Sequence, residues 1–528
     1  MFNIQQIAYF KYYSMNTPVK TIGIFSLLVL VLFSCQEKGK QYPALIEPVA
    51  ILYDSTLKPF YHGVASGDPL HDRVIIWTRV TPGDSLPSVD VQWQVSTTEN
   101  FSNIIASDTV TTSPAHDYTV KVDVVGLEPD KIYYYRFSAF HKTSITGRTK
   151  TTPVAAKDSL KFAVVSCSNW EFGYFNAYSR IAEKDVDAVL HLGDYIYEYG
   201  TGHYGDTTIG RINLPRHEII SLQDYRTRHS QYRLDEGLRK ISERHPFITI
   251  WDDHEIANDT YAEGAQNHQP NEGDFKTRKS AAVQAYFEWL PIRQGSNIYR
   301  TFSYGPLVDL IMLDERLAGK TKQAKGLSDP DLNNEWRSML GKEQLDWFES
   351  QLKNSKAIWK IIGNQVIFSR VDESFSENAK STDTWNGYPV ERRKIVDFIF
   401  QKKINDILFL TGDTHASWAY EATLDLKKYN AKNSTGVFAV EFGTPSVSSG
   451  NWDERYSLDT ARLGEQLYQK YNPHLKYVNG VDHGYMLLTL YPQKAKAEWY
   501  YVETLREPNK QEHMGKKIEV GKGSYKLK

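Results

Sequence analysis

Four apolar runs in this 528-residue chain each stop at residues able to bind a metal ion. Phe162 to Ser166 runs into Cys167. Asp187 to Gly193 runs into Asp194, with Tyr197 three residues further on. Phe247 to Trp251 meets Asp252, Asp253, His254 and Glu255, and Ile407 to Gly412 meets Asp413, Thr414 and His415. Short β-branched and aromatic runs between turn residues predict buried strands. In α/β folds ligands sit beyond the carboxyl ends of such strands. The pattern therefore predicts an α/β protein with a metal site built from strand ends, and it points to hydrolytic chemistry.

The donor types narrow the chemistry. Asp194, just past a strand, stands where a carboxylate can bridge two cations. Tyr197 is a hard donor, anionic when bound, and suits Fe(III), while a Cys167 thiolate suits iron or zinc better than magnesium. Asp252, Asp253 and Asp413 supply oxygen donors that also suit Ca²⁺, and His415 adds nitrogen. Adjacent cations polarise a phosphoryl oxygen, generate a hydroxide nucleophile and stabilise the leaving oxygen. His254 then serves as acid or phosphate contact. Adjacent side chains on a continuing strand face opposite ways, which favours Asp253 over Asp252 as a direct ligand. Read singly, Asp194 could be a helix cap and Cys167 an inert buried thiol. Four like strand ends weigh against both. His483, before Gly484, reads as a turn or core residue. Arg226, Arg228 and Arg233 with His229 read as a solvated helix face or a rim that neutralises substrate phosphate.

The N-terminus reads as a targeting segment, with an uncleaved anchor helix as the alternative. Thr21 to Phe33 is apolar, follows Lys20 and precedes Ser34-Cys35, the anatomy of a secretory signal that is short for a membrane span. Leu32 to Cys35 resembles a bacterial lipobox, so residues 1–35 read as a lipoprotein signal with Cys35 the lipidated residue. Met15 is an alternative start. Only two cysteines occur, so lipidation of Cys35 leaves Cys167 without a disulfide partner. Residues 36–59 read as a tether, and 60–150 as an all-β domain of about seven strands with period-two alternation. Within it Leu127, Pro129 and Tyr133 have the spacing of a tyrosine corner. Residues 160–505 alternate strands and helices and form the catalytic domain, and 506–528 form a basic, solvated tail. Thr201 to Arg239 and Asn258 to Lys279 are polar insertions suited to lids. The net charge of −2 gives no electrostatic case for nucleic-acid binding.

Taken together, Gly193-Asp194-Tyr195-Ile196-Tyr197, Trp251-Asp252-Asp253-His254-Glu255, Gly412-Asp413-Thr414-His415 and the Ser166-Cys167 turn resemble the PhoD family of alkaline phosphatases, within the calcineurin-like metallophosphoesterases. The likeness runs from Tyr61 to Tyr491 and includes His62 to Pro69 and Ile75 to Arg79. It implies an α/β, four-layer αββα metallophosphoesterase core preceded by a fibronectin III or Ig-like sandwich, holding one Fe(III) and two Ca²⁺, with Zn, Mg or Mn as alternatives. Cys167 and Tyr197 would ligate iron, Asp194 would bridge, and Asp253, Asp413 and His415 would fall at ligand positions. Asn364, at another strand end, falls near one more. The family's twin-arginine signal has no counterpart here, which implies export unfolded and metal uptake outside.

The expected function is an extracytoplasmic, lipid-anchored phosphatase, at the outer membrane or periplasmic face, acting on small or polymeric phosphate esters. Hydroxide held by the cations would attack phosphorus, with Asp253 and His254 the catalytic residues. A phospholipase D-type phosphodiesterase is the near alternative. A surface-binding lipoprotein with an inactive catalytic domain is the distant one.

Overall fold

The four donor-ending runs form strands at Leu160–Val165, Ala188–His191, Pro246–Thr249 and Ile407–Thr411. In the computed structural model, which describes residues 41–295, 297–375 and 381–528, the first three lie side by side and parallel, Val164 opposite Leu190 and His191 opposite Thr249. All are buried on both faces, as parallel strands covered from both sides must be. They centre a nine-stranded sheet. Gly484–Leu490, Lys494–Val502 and Glu512–Gly521 extend it on one side, and Val64–Gly67, Arg73–Arg79 and Thr119–Val125 on the other. Ile407–Thr411 lies in a second sheet of seven strands, between Trp359–Gly363 and Val437–Gly443.

The two sheets share one core. Val164, Leu190 and Leu488 of the first join Leu310, Ile361, Leu408 and Phe442 of the second in a single buried cluster. Polar stitches bind the sheets at the site end. Thr444 Oγ1 donates to the Val164 carbonyl at 2.9 Å, and Trp499 Nε1 to the Gly443 carbonyl at 2.8 Å. The outer face of the seven-stranded sheet carries helices Gly341–Asn354 and Pro389–Lys402, whose Phe348, Leu352, Ile395 and Ile399 meet Ile362 and Phe409. Truncating a fully buried ring such as Phe409 to alanine should cost about 3–5 kcal/mol. Helices Asn176–Ile181, Glu236–Arg244 and Phe275–Trp289 contribute Tyr178, Ile241 and Ala285 to the shared cluster.

The N-terminal β-region shares a sheet with the rest of the chain. Val89–Ser96, Ile104–Thr112 and Ile132–Ala139 form a small sheet over a core of its own, including Val91, Val95, Tyr135 and Phe137. Its facing strands, however, are the edge of the nine-stranded sheet. Val64–Gly67 pairs parallel with Pro246–Thr249, and Pro43–Lys528 form one compact unit. Backbone pairing of this kind carries no side-chain signature, so the sequence did not announce it. At the predicted tyrosine corner, Glu128 N donates to Tyr133 Oη at 2.8 Å.

Two expectations are corrected. Residues 43–59, read as tether, pack down. Leu45 N donates to the Gly83 carbonyl at 3.1 Å, Tyr53 stacks on Tyr61 with centroids 4.0 Å apart, and Glu47 pairs with buried Arg79. Residues 506–528, read as a solvated tail, include the edge strand Glu512–Gly521. Ile518 and Val520 turn inward while Lys517 and Glu519 face outward, a short period-two signal of a half-buried strand. The signal segment and Cys35 lie outside the described residues.

Candidate metal centre

Three of the four strand ends at the site turn through left-handed backbone: φ is 59° at Cys167, 55° at Asp194, 60° at Asp413 and 58° at His415. That region is sparsely populated by residues with a Cβ, so surrounding contacts must enforce it. Here they do. Cys167 N donates to the Gly193 carbonyl at 3.2 Å and Ser168 N to the Asp194 carbonyl at 2.9 Å, locking two strand ends together. The buried Glu255 carboxylate accepts from Asp194 N at 3.1 Å, Asp252 N at 2.8 Å and Tyr195 N. Gly193 has φ 106°, and a Cβ there would lie 2.4 Å from Asp252 Cβ, so only glycine lets the two loops approach.

The result is a chain of overlapping donor groups whose ligand atoms lie within 4.8 Å of one another. Cys167, Asp194 and His415 make one. Asp194, Asp253 and His254 make the next, followed by Asp252, Asp253 and Asp413, then Asp253, Asp259 and Asp383. Asp194 joins the first pair of groups, and Asp253 joins the last three. Tyr197 Oη sits over the first group, 2.9 Å from Asp194 Oδ2 and 3.3 Å from His415 Nε2. His415 Nδ1 is 2.8 Å from the Gly450 carbonyl, which fixes its proton there and leaves the Nε2 lone pair toward the group. Asp194 Oδ1 and Asp252 Oδ2 are buried without a hydrogen-bond partner. Unpartnered carboxylate oxygens amid sulfur, nitrogen and phenol donors are what a cation site requires, so this donor set fits metal ions.

Charge compensation is uneven. Arg316, fully buried, reaches Asp413 Oδ1 at 3.0 Å and Asp253 Oδ1 at 3.6 Å, and also pairs with Asp252 and Asp383; Lys320 pairs with Asp383 too. His254 Nδ1 donates to Glu198 Oε2 at 2.7 Å, and Glu198 is held in turn by Asn258 N and Asn267 Nδ2, both at 2.8 Å. Burial pushes Asp194 well above the usual carboxylate range, and it pushes Asp252 to about 8 and Asp413 to about 7. Burial, reinforced by Asp194, also raises the Cys167 thiol and Tyr197 phenol well above their ordinary values. For His254 burial acts the other way, but the Asp253 and Glu198 carboxylates outweigh it and raise the imidazole well above its ordinary value. Asp253 shows the converse: burial opposes ionisation, yet Arg316 and His254 hold it below the usual range.

Thus Cys167, Asp194, Tyr197, Asp252, Asp253, His254, Asp413 and His415 converge. At another strand end Asn364 is buried; its amide oxygen accepts from Trp385 Nε1 at 3.3 Å, and its nitrogen donates to Val366 O and Thr411 Oγ1. The arginine run is no rim. Arg226 pairs with Glu288, Arg228 donates to Leu214 O, Pro215 O and Tyr197 O, and Arg233 to Ser242 Oγ, all from buried positions. His483 bonds Ser446 Oγ at 2.9 Å and Glu454 at 3.1 Å and belongs to none of the donor groups. Sequence reasoning overlooked Asp259, Asp383, Arg316, Lys320 and Glu198. Arg316 was findable, because it closely follows the strand Val308–Met312 and obeys the same strand-end rule.

A two-sheet α/β scaffold presenting overlapping carboxylate, thiol, phenol and imidazole donors defines the class: a candidate metallohydrolase. The PhoD-like phosphatase family matches residues 162–499, and the PhoD-like phosphatase N-terminal domain matches residues 50–153. Alkaline phosphatase D of Bacillus subtilis (strain 168) is 37 % identical over 473 residues, 85 % of this chain and 79 % of that protein. A solved structure of PhoD superposes with TM-score 0.81 at 35 % identity, covering 90 % of this chain and 92 % of that one. The chain belongs to the PhoD-like phosphatase family and is an enzyme, a phosphoric ester hydrolase of the alkaline phosphatase D type. Among the described residues, no helix is long and apolar enough to cross a membrane.

Proposed function

We propose that this protein is an extracytoplasmic, metal-dependent phosphatase acting on phosphomonoesters, phosphodiesters or both, with a four-layer αββα core, an Ig-like N-terminal layer and a lipid anchor at Cys35. The observation that carries the reading is the sharing of Asp194 and Asp253 between neighbouring donor groups. One carboxylate common to two groups is how a protein holds two cations a few ångströms apart.

Cys167, Tyr197, Asp194 and His415 would hold an Fe(III), whose positive charge would draw the protons off the buried thiol and phenol. Asp252, Asp253, Asp259, Asp383 and Asp413 are an oxygen set suited to Ca²⁺. The cations supply Lewis acidity and an activated water. The chain supplies the rest. Glu198 orients His254 through Nδ1, leaving Nε2 directed to the Asp194 and Asp253 side, where an imidazolium proton can pass to a departing alkoxide. Tyr197, Tyr199 and Tyr204 wall that side, the Tyr197 ring 4.2 Å and the Tyr199 ring 5.4 Å from His254. They exclude water from the proton path.

The test is elemental analysis of purified protein together with p-nitrophenol release from mono- and bis-p-nitrophenyl phosphate. Chelation should abolish release, and added iron plus calcium should restore it. Full activity in exhaustively metal-stripped protein would sink the reading.

A further inference from the structure

Away from the metal centre, a cleft of about 460 Å³ lies where the N-terminus of helix Pro389–Lys402 meets the segment from Arg370 to Ser374. Arg370, Arg392 and Arg393 line it, and none of its lining residues belongs to the donor groups described above. Arg392 is only 5 % exposed. Its Nη1 donates to Phe368 O at 3.1 Å, Ser369 O at 3.2 Å and Asn386 Oδ1 at 3.2 Å. Among the described residues its Nε and Nη2 find no acceptor, and Arg392 has no carboxylate within ion-pair distance. Those two nitrogens are not buried away from solvent, and a planar guanidinium edge opening to a cleft matches a planar or tetrahedral anion.

The surrounding acids are engaged elsewhere. Glu441 accepts from Phe368 N at 2.8 Å, Ser369 N at 2.7 Å and Thr411 Oγ1 at 2.6 Å. Glu391, in the first turn of the helix, accepts from Ser338 Oγ at 2.6 Å and Leu340 N at 3.2 Å. The helix begins without a side-chain cap, and Glu391 is the acidic side chain of its first turn. Two carboxylates do share the lining. Asp372 accepts from Ser374 N at 2.9 Å, and burial pushes Glu373 up to about 7. Burial, with Arg370 and Arg393 beside it, pushes Arg392 down to about 9. The positive charge in the cleft is therefore only partly compensated.

We propose that this cleft is a second anion site, in which the free guanidinium edge of Arg392, flanked by Arg370 and Arg393, binds a phosphate group. Free inorganic phosphate and the terminal group of a phosphate chain offer the same oxygens, and the test separates them.

The experiment is isothermal titration of the metal-loaded protein with orthophosphate and, in parallel, with tripolyphosphate. The wild-type protein should show two binding events, one at the metal centre and one at the cleft. The exposed double variant R370A/R393A should keep the first and weaken the second about tenfold or more, with p-nitrophenyl phosphate hydrolysis unchanged. Arg392→Gln should weaken the same event, and thermal unfolding would report whether it folds. A second event with orthophosphate assigns the site to free phosphate, and one with tripolyphosphate alone assigns it to a phosphate chain. A single event in the wild type, two undiminished events in R370A/R393A, or hydrolysis lost along with binding would overturn the proposal.

Discussion

The two sheets contribute unlike halves to one site. The nine-stranded sheet delivers Cys167, Asp194, Tyr197, Asp252, Asp253 and His254; here Asp194 Oδ1 and Asp252 Oδ2 lack partners, and thiol and phenol keep their protons. From the loops of the seven-stranded sheet come Asp383 and Asp413, already paired with Arg316 and Lys320. Around Cys167 and Asp194 the first half is left unsatisfied for a cation, whereas the second carries tethered cations of its own, and its Arg316 reaches across to Asp252 and Asp253. A site that collects this many carboxylates must neutralise some permanently, since burying like charges together is prohibitive. Which half is compensated decides where exchangeable ions can sit.

The sharpest way to break this contrast is Asp194→Asn on the uncompensated side. It should lower kcat/KM about a thousandfold or more and reduce bound metal by elemental analysis. Retained metal and near-normal turnover would dissolve the distinction. Arg316→Met, on the compensated side, should act on folding first. Removing a buried cation that touches four carboxylates should cost about 3–5 kcal/mol in denaturant unfolding, with part of the loss recovered by excess divalent cation. His254→Asn should lower kcat about a hundredfold for phenyl phosphate and distinctly less for p-nitrophenyl phosphate, whose leaving group needs little protonation. Equal losses on the two esters would remove the proton-donor role.

The smallest effect concerns Glu315, whose carboxylate binds Gln365 N at 2.8 Å and Val366 N at 3.0 Å beneath the compensated half. Burial raises it from 4.5 to about 8. A carboxyl raised on folding contributes stability that is fully present below pH 4.5 and lost as pH rises through about 8. Glu315→Gln should therefore flatten the stability profile across that window, as denaturant unfolding at a series of pH values would show. An unchanged slope would remove Glu315 as its source.

Much of the first half was legible in sequence because strand ends are local. An apolar run that stops at Cys167, Asp194 or Asp253 predicts both the strand and where its terminal side chains gather. The second half was harder to read. Arg316 follows a strand but is a cation and no metal donor, and Asp259 and Asp383 lie in polar stretches with no strand leading into them. Asn364, at a further strand end, is bonded through its amide to Trp385, Val366 and Thr411.

Residue order alone determined the strands, the donor types and the turn glycine at Gly193, since these follow from hydrophobic periodicity and backbone sterics within a few residues. Tertiary structure decided which donors share a cation group, that Arg316 stands among four of them, and that Val64–Gly67 and Glu512–Gly521 complete the large sheet. Those outcomes rest on backbone pairing and burial between segments hundreds of residues apart, where hydrogen bonds and desolvation act on distances that no local pattern encodes.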